Sequence, residues 1–509
     1  MTPPHPANPL SKGSDPVVKK LDACAQERGG GRGTLVRDAE VEGERVDVRL
    51  AEGRVDAVAR ALTRRGNELV VDARGGALLP GLHDHHLHLL ALAAALESVP
   101  CGPPDATDAG ALARRLAGAA RGRDGWIRGV GYHDSVSGLL DAERVSALAG
   151  DAAPIRIQHR SGALWIVNRA GLAALGIAGG PRPDDPPGLE RDGAGRATGR
   201  LFDCDAWLRA RLPAVAPDLA PVGARLAAAG VTGATDATPS NDAAVLALLA
   251  AARREGRLPQ RLELMGGLDL PPARDDGLRR GARKIVLRDA ALPDPDALAA
   301  QIAGAHAHAR PVAIHCVTRA ELALAACALR EAGARPGDRI EHASVAPPEL
   351  LADLAALAVT VVTQPNFLYE RGDAYACEVD PADRPWLYRG AGFVRAGIRL
   401  GGGTDAPFGA PDPWRAMQAA VDRRSRGGLV LGRDEALAPE RALSLFTTSP
   451  GDPGGTPRRV AVGAPADLCL LRRPWKQVRD RLDAADVAAT WCAGRLAFGA
   501  DDASGAALP

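Results

Sequence analysis

Between residues 76 and 405 the chain repeats one alternation, in which short apolar runs rich in Val, Ile, Leu and Ala are separated by stretches of helical periodicity. The runs lie near 76–88, 231–236, 260–266, 282–288, 311–316, 338–343, 358–365 and 397–405. Strand-like runs interleaved with helices make parallel βα units, because a parallel strand needs a helical crossover to reach its neighbour. The segments 295–310, 319–333 and 347–357 each carry apolar residues at helical spacing after a turn or cap. Eight strands is the number that closes a barrel, so the expectation is an α/β fold, a (β/α)8 TIM barrel. A doubly wound open sheet is the competing arrangement, since periodicity does not reveal closure.

The flanks read differently. Residues 34–76 alternate over short distances, as in Val46-Asp47-Val48-Arg49-Leu50, with turns such as Glu52-Gly53 between the runs. The tail segments Asp467-Leu468-Cys469-Leu470-Leu471 and Ala489-Thr490-Trp491-Cys492 behave alike. Neither flank has enough strands to bury a core alone. The expectation is therefore a composite small β-sandwich domain, 34–78 plus 455–500, around a barrel spanning 79–454. Residues 1–33, with five prolines and the run Gly29-Gly30-Gly31, read as a disordered leader. The span 89–230 is too long for one crossover and is read as an insertion after strand 1, placed to wall the mouth of the barrel.

Composition narrows the partners. In 509 residues, 63 Lys and Arg balance 62 Asp and Glu, which argues against nucleic acid or an anionic membrane as a partner. No run is long and apolar enough to span a bilayer, and no secretion signal is visible. The eight cysteines are scattered without a C-x-x-C pair, so the expected address is cytoplasmic. A small-molecule substrate fits this profile, and a homo-oligomer is compatible with it.

The chemistry is concentrated at strand ends, where barrel enzymes carry their reacting groups. The first run closes Pro80-Gly81-Leu82-His83-Asp84-His85-His86-Leu87-His88. Residues two apart in a strand share a face, so Asp84, His86 and His88 can project together while His83 and His85 point away; the register through His83 and His85 competes. Imidazole pairs on a rigid strand suit a divalent metal, zinc above all. Lys284 lies on the fourth run, His315 ends the fifth, His342 ends the sixth, Gln364 and Asn366 follow the seventh, and Asp405 follows the eighth. The chain has only 11 histidines, so four at strand ends is a concentration. Glu341 alternates with His342 and is expected on the opposite face, in a structural pair near Arg339. The run Gly401-Gly402-Gly403 is read as close backbone packing rather than a phosphate cradle.

These motifs resemble the amidohydrolase superfamily, in particular its family-3 branch, which includes N-substituted formamide deformylase-like metal-dependent hydrolases. The resemblance runs from about residue 34 to 500. The family's strand-one motif, Pro-Gly-x-x-Asp-x-His-x-His, falls on Pro80, Gly81, Asp84, His86 and His88 and selects that register. The resemblance further implies metal-ligand roles for His86, His88, His315 and His342, and makes Asp405 both ligand and proton shuttle. Lys284 stands where such enzymes carry a lysine that can be carbamylated to bridge two ions, so one or two metals are expected. Ser161-Gly162-Ala163-Leu164-Trp165-Ile166-Val167-Asn168 also looks like the family, although members often carry histidine at the position of Ala163. Arg160, Trp165, Asn168, Gln364 and Asn366 are the candidate substrate contacts.

The function expected from this pattern is hydrolysis of a non-peptide C–N amide bond in a small molecule. A metal-activated water attacks and Asp405 is the general base. A deaminase or cyclic-amide hydrolase on the same frame is the rival enzyme, and a catalytically silent ligand-binding barrel is the rival from another class.

Overall fold

The computed structural model describes residues 33–499 apart from 178, 179, 214, 274 and 276. The leader expected over 1–33 lies outside the described residues except for Gly33. Eight parallel strands form the centre: β1 (Leu82–Leu87), β2 (Val231–Asp236), β3 (Arg261–Gly266), β4 (Leu278–Val286), β5 (Val312–Cys316), β6 (Arg339–His342), β7 (Thr360–Thr363) and β8 (Arg399–Gly402). They pair in chain order, parallel at each step.

The seam between β8 and β1 settles barrel against open sheet. Just past β8, Asp405 N–H donates to His86 O (2.7 Å) and His88 N–H donates to Ala406 O (2.8 Å). Thr404 adds N–H and hydroxyl bonds to the Asp84 carboxylate, at 3.0 and 2.5 Å. The approach is too close for a side chain, because a Cβ on Gly403 would lie 2.5 Å from the Cβ of His86. Cβ atoms on Gly401 and Gly402 would likewise strike Pro453 and Phe446, so the triple glycine is a packing device.

The helices take their places for local reasons. Pro295–Ala307 starts where the Asp294 carboxylate accepts the N–H groups of Asp296 and Ala297. Arg319–Ala332 starts with a capping box between Thr318 and Glu321. That cap has a second effect: Glu321 also accepts the Val317 N–H (2.6 Å) and so fixes the backbone just after His315 and Cys316.

Two four-stranded sheets flank the barrel. One holds Thr34–Val41, Glu44–Ala51, Arg54–Ala59 and Leu69–Asp72; the other holds Leu78–Pro80, Leu468–Leu471, Val487–Cys492 and Arg495–Gly499. Their facing sides share a core of Val36, Val48, Leu50, Leu468, Leu470 and Trp491, so the two chain ends fold as one sandwich. The apolar run read as one strand over 76–88 is in fact divided. Leu78–Pro80 pairs antiparallel with Leu468–Leu470 in the sandwich, and only Leu82–Leu87 belongs to the barrel. Gly81 is the corner: its N–H donates to Asp467 O (2.8 Å), and a Cβ there would meet Thr232 at 2.2 Å.

The insertion builds a six-stranded sheet of its own, from Val99–Pro100 through Ala197–Phe202, with separate apolar clusters. It closes on the barrel mouth through several contacts, among them an ion pair of Asp203 with Arg288 just past β4 at 2.6 Å. Gly162 abuts the ring of Phe408, where a Cβ would lie 2.6 Å away. Arg160 pairs at 3.2 Å with Glu378, at the end of the helix Asn366–Glu378 that follows β7.

Candidate metal centre

Four imidazoles stand in a row at the C-terminal ends of β1, β5 and β6. Ring centroids lie 5.5 Å apart for His88 and His86, 4.7 Å for His86 and His342, and 4.4 Å for His342 and His315. Asp405 closes the group, with Oδ1 3.2 Å from His88 Nε2 and 3.6 Å from His86 Nε2. One ligand atom each from His86, His342 and Asp405 fall within 4.8 Å of one another. His342 and Asp405 reach this point through left-handed backbone, φ +70° and +56°. Such strain in non-glycine residues persists only where the surroundings impose it, and it collects at functional sites.

The orientation of the rings is fixed from behind. His86 Nδ1 is held by Glu341 Oε2, His88 Nδ1 lies 2.9 Å from Thr238 Oγ1, and His342 Nδ1 donates to Gln364 Oε1 at 2.7 Å. The carboxylate of Glu341 and the amide oxygen of Gln364 can only accept, so His86 and His342 carry their proton on Nδ1 and keep Nε2 as a lone pair, while the Thr238 hydroxyl anchors the His88 ring. That is how a protein prepares metal-ligating histidines.

Burial sets the protonation. His86 is pushed down to about 4 by burial and then by the charge of Lys284, despite Glu341 beside it. Burial and Lys284 likewise take His315 down to about 3, and burial with the neighbouring His315 and His86 holds His342 well below its usual value. Neutral imidazoles are the ligating form. For Asp405, burial alone would raise the carboxyl, but the His88 contact and the adjacent histidines outweigh it and hold it below the ordinary carboxylate range. Burial also lowers Lys284 toward the neutral amine, and Arg339 adds to this.

Two buried polar atoms at the cluster, Lys284 Nζ and Asp405 Oδ1, have no protein hydrogen-bond partner. The 3.2 Å approach of His88 to Oδ1 is therefore off the line of a hydrogen bond. Protein groups alone leave these atoms unsatisfied, at a cost of about 1–3 kcal/mol each. A divalent cation fits the donor set: neutral imidazole nitrogens, a carboxylate, and an amine lowered toward its neutral form.

The cluster brings together His86, His88, Lys284, His315, His342 and Asp405. The five candidate substrate contacts fare differently. Arg160 reaches the mouth but is paired with Glu378. Gln364 is fully buried behind His342, and Asn366 Nδ2 donates to Thr404 O (3.0 Å), tying the segment after β7 to the one after β8. Trp165 packs within the insertion, its Nε1 donating to Asp205 (3.0 Å) with the Arg128 guanidinium over the ring. Asn168 is spent within the insertion, accepting from Ile155 and Gly171 N–H at 2.8 Å each and donating to the Gly150 and Ala153 carbonyls and to the Asp151 carboxylate. Trp165 and Asn168 are thus not brought to the cluster. Asn168→Ala should lower stability by about 3–5 kcal/mol, because several buried backbone groups lose their partner, while metal content stays unchanged. A urea midpoint equal to wild type contradicts that role.

Glu341 is the residue that sequence reasoning misplaced. It points into the barrel, with Arg339 donating to Oε1 and His86 to Oε2. Strict alternation fails because the positive φ of His342 turns the chain as the strand ends, so adjacent side chains converge on the same centre. The pairing with Arg339 is present.

The match to known proteins follows the geometry. Residues 69–498 match the amidohydrolase family, which is most of the chain. The chain belongs to that family. This amidohydrolase is 26% identical over 502 residues to the N-substituted formamide deformylase of Arthrobacter pascens, covering 84% of this chain and 90% of that one. It is 23% identical over 470 residues to the putative amidohydrolase YtcJ of Bacillus subtilis, covering 79% and 85%. A solved metal-dependent hydrolase from Pyrococcus horikoshii, uncharacterised in function, superposes with a TM-score of 0.67 at 21% identity, over 87% of this chain and 97% of that one. The amidohydrolase is accordingly a TIM-barrel hydrolase of C–N bonds other than peptide bonds, of a class that uses a divalent metal. No helix among its described residues is long and apolar enough to cross a membrane.

The lowered histidines give the metal-free amidohydrolase a pH signature. Their folded-state pKa values lie below the unfolded value near 6.5, so the unfolded chain takes up protons that the folded one refuses. Stability should be fully present above pH 6.5 and fall as pH drops toward about 4. Asp84, raised to about 7 by burial, works the opposite way, as do the raised carboxyls of Glu263, Glu370 and Asp412, while the fully buried His83 and His85, also held well below their usual value, add to the three histidines of the cluster. Urea midpoints at pH 7.5 and 5 check this, and equal midpoints contradict neutral buried imidazoles.

Proposed function

We propose that this amidohydrolase cleaves an amide C–N bond in a small N-substituted amide, with formamides as the first class to test, and that its metal is zinc. His86, His88, His315, His342 and Asp405 would hold the ion. Lys284, if carbamylated, would add a bridge to a second. The reading rests on three imidazoles whose Nδ1 atoms are held from behind, two of which, His86 and His88, turn Nε2 toward Asp405 Oδ1. The substrate class rests on the deformylase relative, and the cytoplasmic address on the cysteine pattern of the sequence.

A divalent cation, when bound there, supplies Lewis acidity to water and to the scissile carbonyl. The chain's own residues do the rest. Asp405 takes the proton of the attacking water at its unpartnered Oδ1 and returns it to the leaving nitrogen, which departs as an amine. Its depressed pKa keeps it ionised for the first step. Phe408, set edge-on to His88 at 5.6 Å and backed by Gly162 of the insertion, walls the mouth against bulk water.

The test is a product assay on zinc-loaded protein with a panel of N-substituted formamides, cyclic amides and amino-substituted heterocycles. Release of formate and amine from the formamides is expected. Ammonia release from the heterocycles alone would redirect the reading to a deaminase, and ring opening alone to a cyclic-amide hydrolase.

A further inference from the structure

Glu341 and Arg339 occupy alternate positions on β6, yet both reach across the barrel interior to β1, which is not a neighbour of β6 in the sheet. Arg339 Nη2 donates to His85 O at 2.7 Å, and its Nε donates to Glu341 Oε1. Glu341 Oε2 meets His86 Nδ1. All three side chains are buried, with Glu341 at 0% exposure. Each carboxylate oxygen therefore has one donor, Arg339 on Oε1 and His86 on Oε2. Its effect has to pass through His86.

We propose that Glu341, oriented by Arg339, is a positioning residue of the metal centre. It holds the proton of His86 on Nδ1 and thereby keeps Nε2 as a free lone pair aimed at the ion. This rests on the metal-hydrolase reading and adds a residue that the ligand set does not include. A carboxylate behind a ligating imidazole fixes its tautomer and angle, and losing such a partner typically weakens metal binding 10- to 100-fold.

The arrangement makes a specific expectation for Glu341→Gln, which preserves size. Arg339 can only donate, so it draws the amide oxygen to its own side and leaves the amide N–H facing His86 Nδ1. That stabilises the wrong tautomer, with the proton on Nε2. Removing the demand of Arg339 in Arg339→Met plus Glu341→Gln frees the amide to turn its oxygen back to His86. A carboxylate that served only to pair Arg339 gives no reason for such a rescue.

Zinc affinity is measured by competition with a chromophoric chelator on wild type, Glu341→Gln and the double variant, and cobalt-substituted protein reports the coordination spectrum. The expected result is a loss of roughly 10- to 100-fold in Glu341→Gln with an altered cobalt spectrum, and recovery to within about 3-fold of wild type in the double variant. Wild-type affinity in Glu341→Gln, or no recovery in the double variant, overturns the proposal. Should a variant fail to fold, long-range 15N–1H correlation on metal-free wild type decides: a proton on His86 Nδ1 supports the role and a proton on Nε2 refutes it. A wild-type protein that takes up no zinc overturns instead the reading on which the proposal rests.

Discussion

Replacing both His86 and His88 with alanine is expected to give a folded protein that retains no metal and turns over no faster than the uncatalysed background. The two residues supply two of the three Nε2 atoms whose rings are locked from behind, and both face Asp405 Oδ1. His315 and His342 remain, but they stand at one end of the row and lose the side of the cluster that Asp405 completes. The fold should survive, because Glu341 keeps the guanidinium of Arg339 and its buried charge stays compensated. The missing His86 donor costs about 1–3 kcal/mol. Metal analysis and a circular-dichroism melt on the same sample check both halves. Wild-type metal content in the double variant contradicts the ligand assignment.

Asp405→Asn separates holding the metal from moving the proton. An amide has nearly the same volume and tolerates the left-handed backbone at this position, so the N–H bond to His86 O and the seam between β8 and β1 should persist. It cannot take a proton from water at Oδ1. With zinc in excess, kcat should fall by roughly 10²- to 10⁴-fold, the range for loss of a general base, with a much smaller change in KM. Metal content measured alongside distinguishes this from loss of the ion. A variant with full metal and wild-type kcat would remove Asp405 from the chemistry.

Much of the barrel is legible in the chain because its strands are buried on both faces, so each is a continuous apolar run rather than an alternating one. The cluster residues are legible for a related reason. A parallel barrel gathers the ends of all its strands at one mouth, so polar residues that terminate separate apolar runs are brought together by topology alone. What escapes the sequence is local backbone conformation. Period-two reasoning sends Glu341 away from His342, and one residue at φ +70° brings both inward. The same reasoning joins 76–88 into one strand, where Gly81 turns the chain from sandwich to barrel.

Side-chain allegiance is the other blind spot. Gln364, Asn366 and Asn168 have the composition of substrate contacts, yet the structure commits Gln364 to His342 and uses Asn366 and Asn168 to satisfy backbone. The pressure to pair every buried amide and carbonyl draws polar side chains into the fold, and composition cannot tell that use from catalysis. One signal was available for Gln364. It lies just past β7, between the β6 end bearing His342 and the β8 end leading to Asp405, and a strand-end amide so placed is well set to orient a neighbouring ligand.

The proposed metal centre draws on His86, His88, His315, His342 and Asp405, with Lys284 at its edge. Its most direct test is elemental analysis of the metal content per chain, on protein purified without chelator and in parallel with added zinc and bicarbonate. At least one equivalent of zinc is expected, rising to two with bicarbonate if Lys284 is carbamylated. No metal under either condition would contradict it and leave a barrel that binds without catalysing.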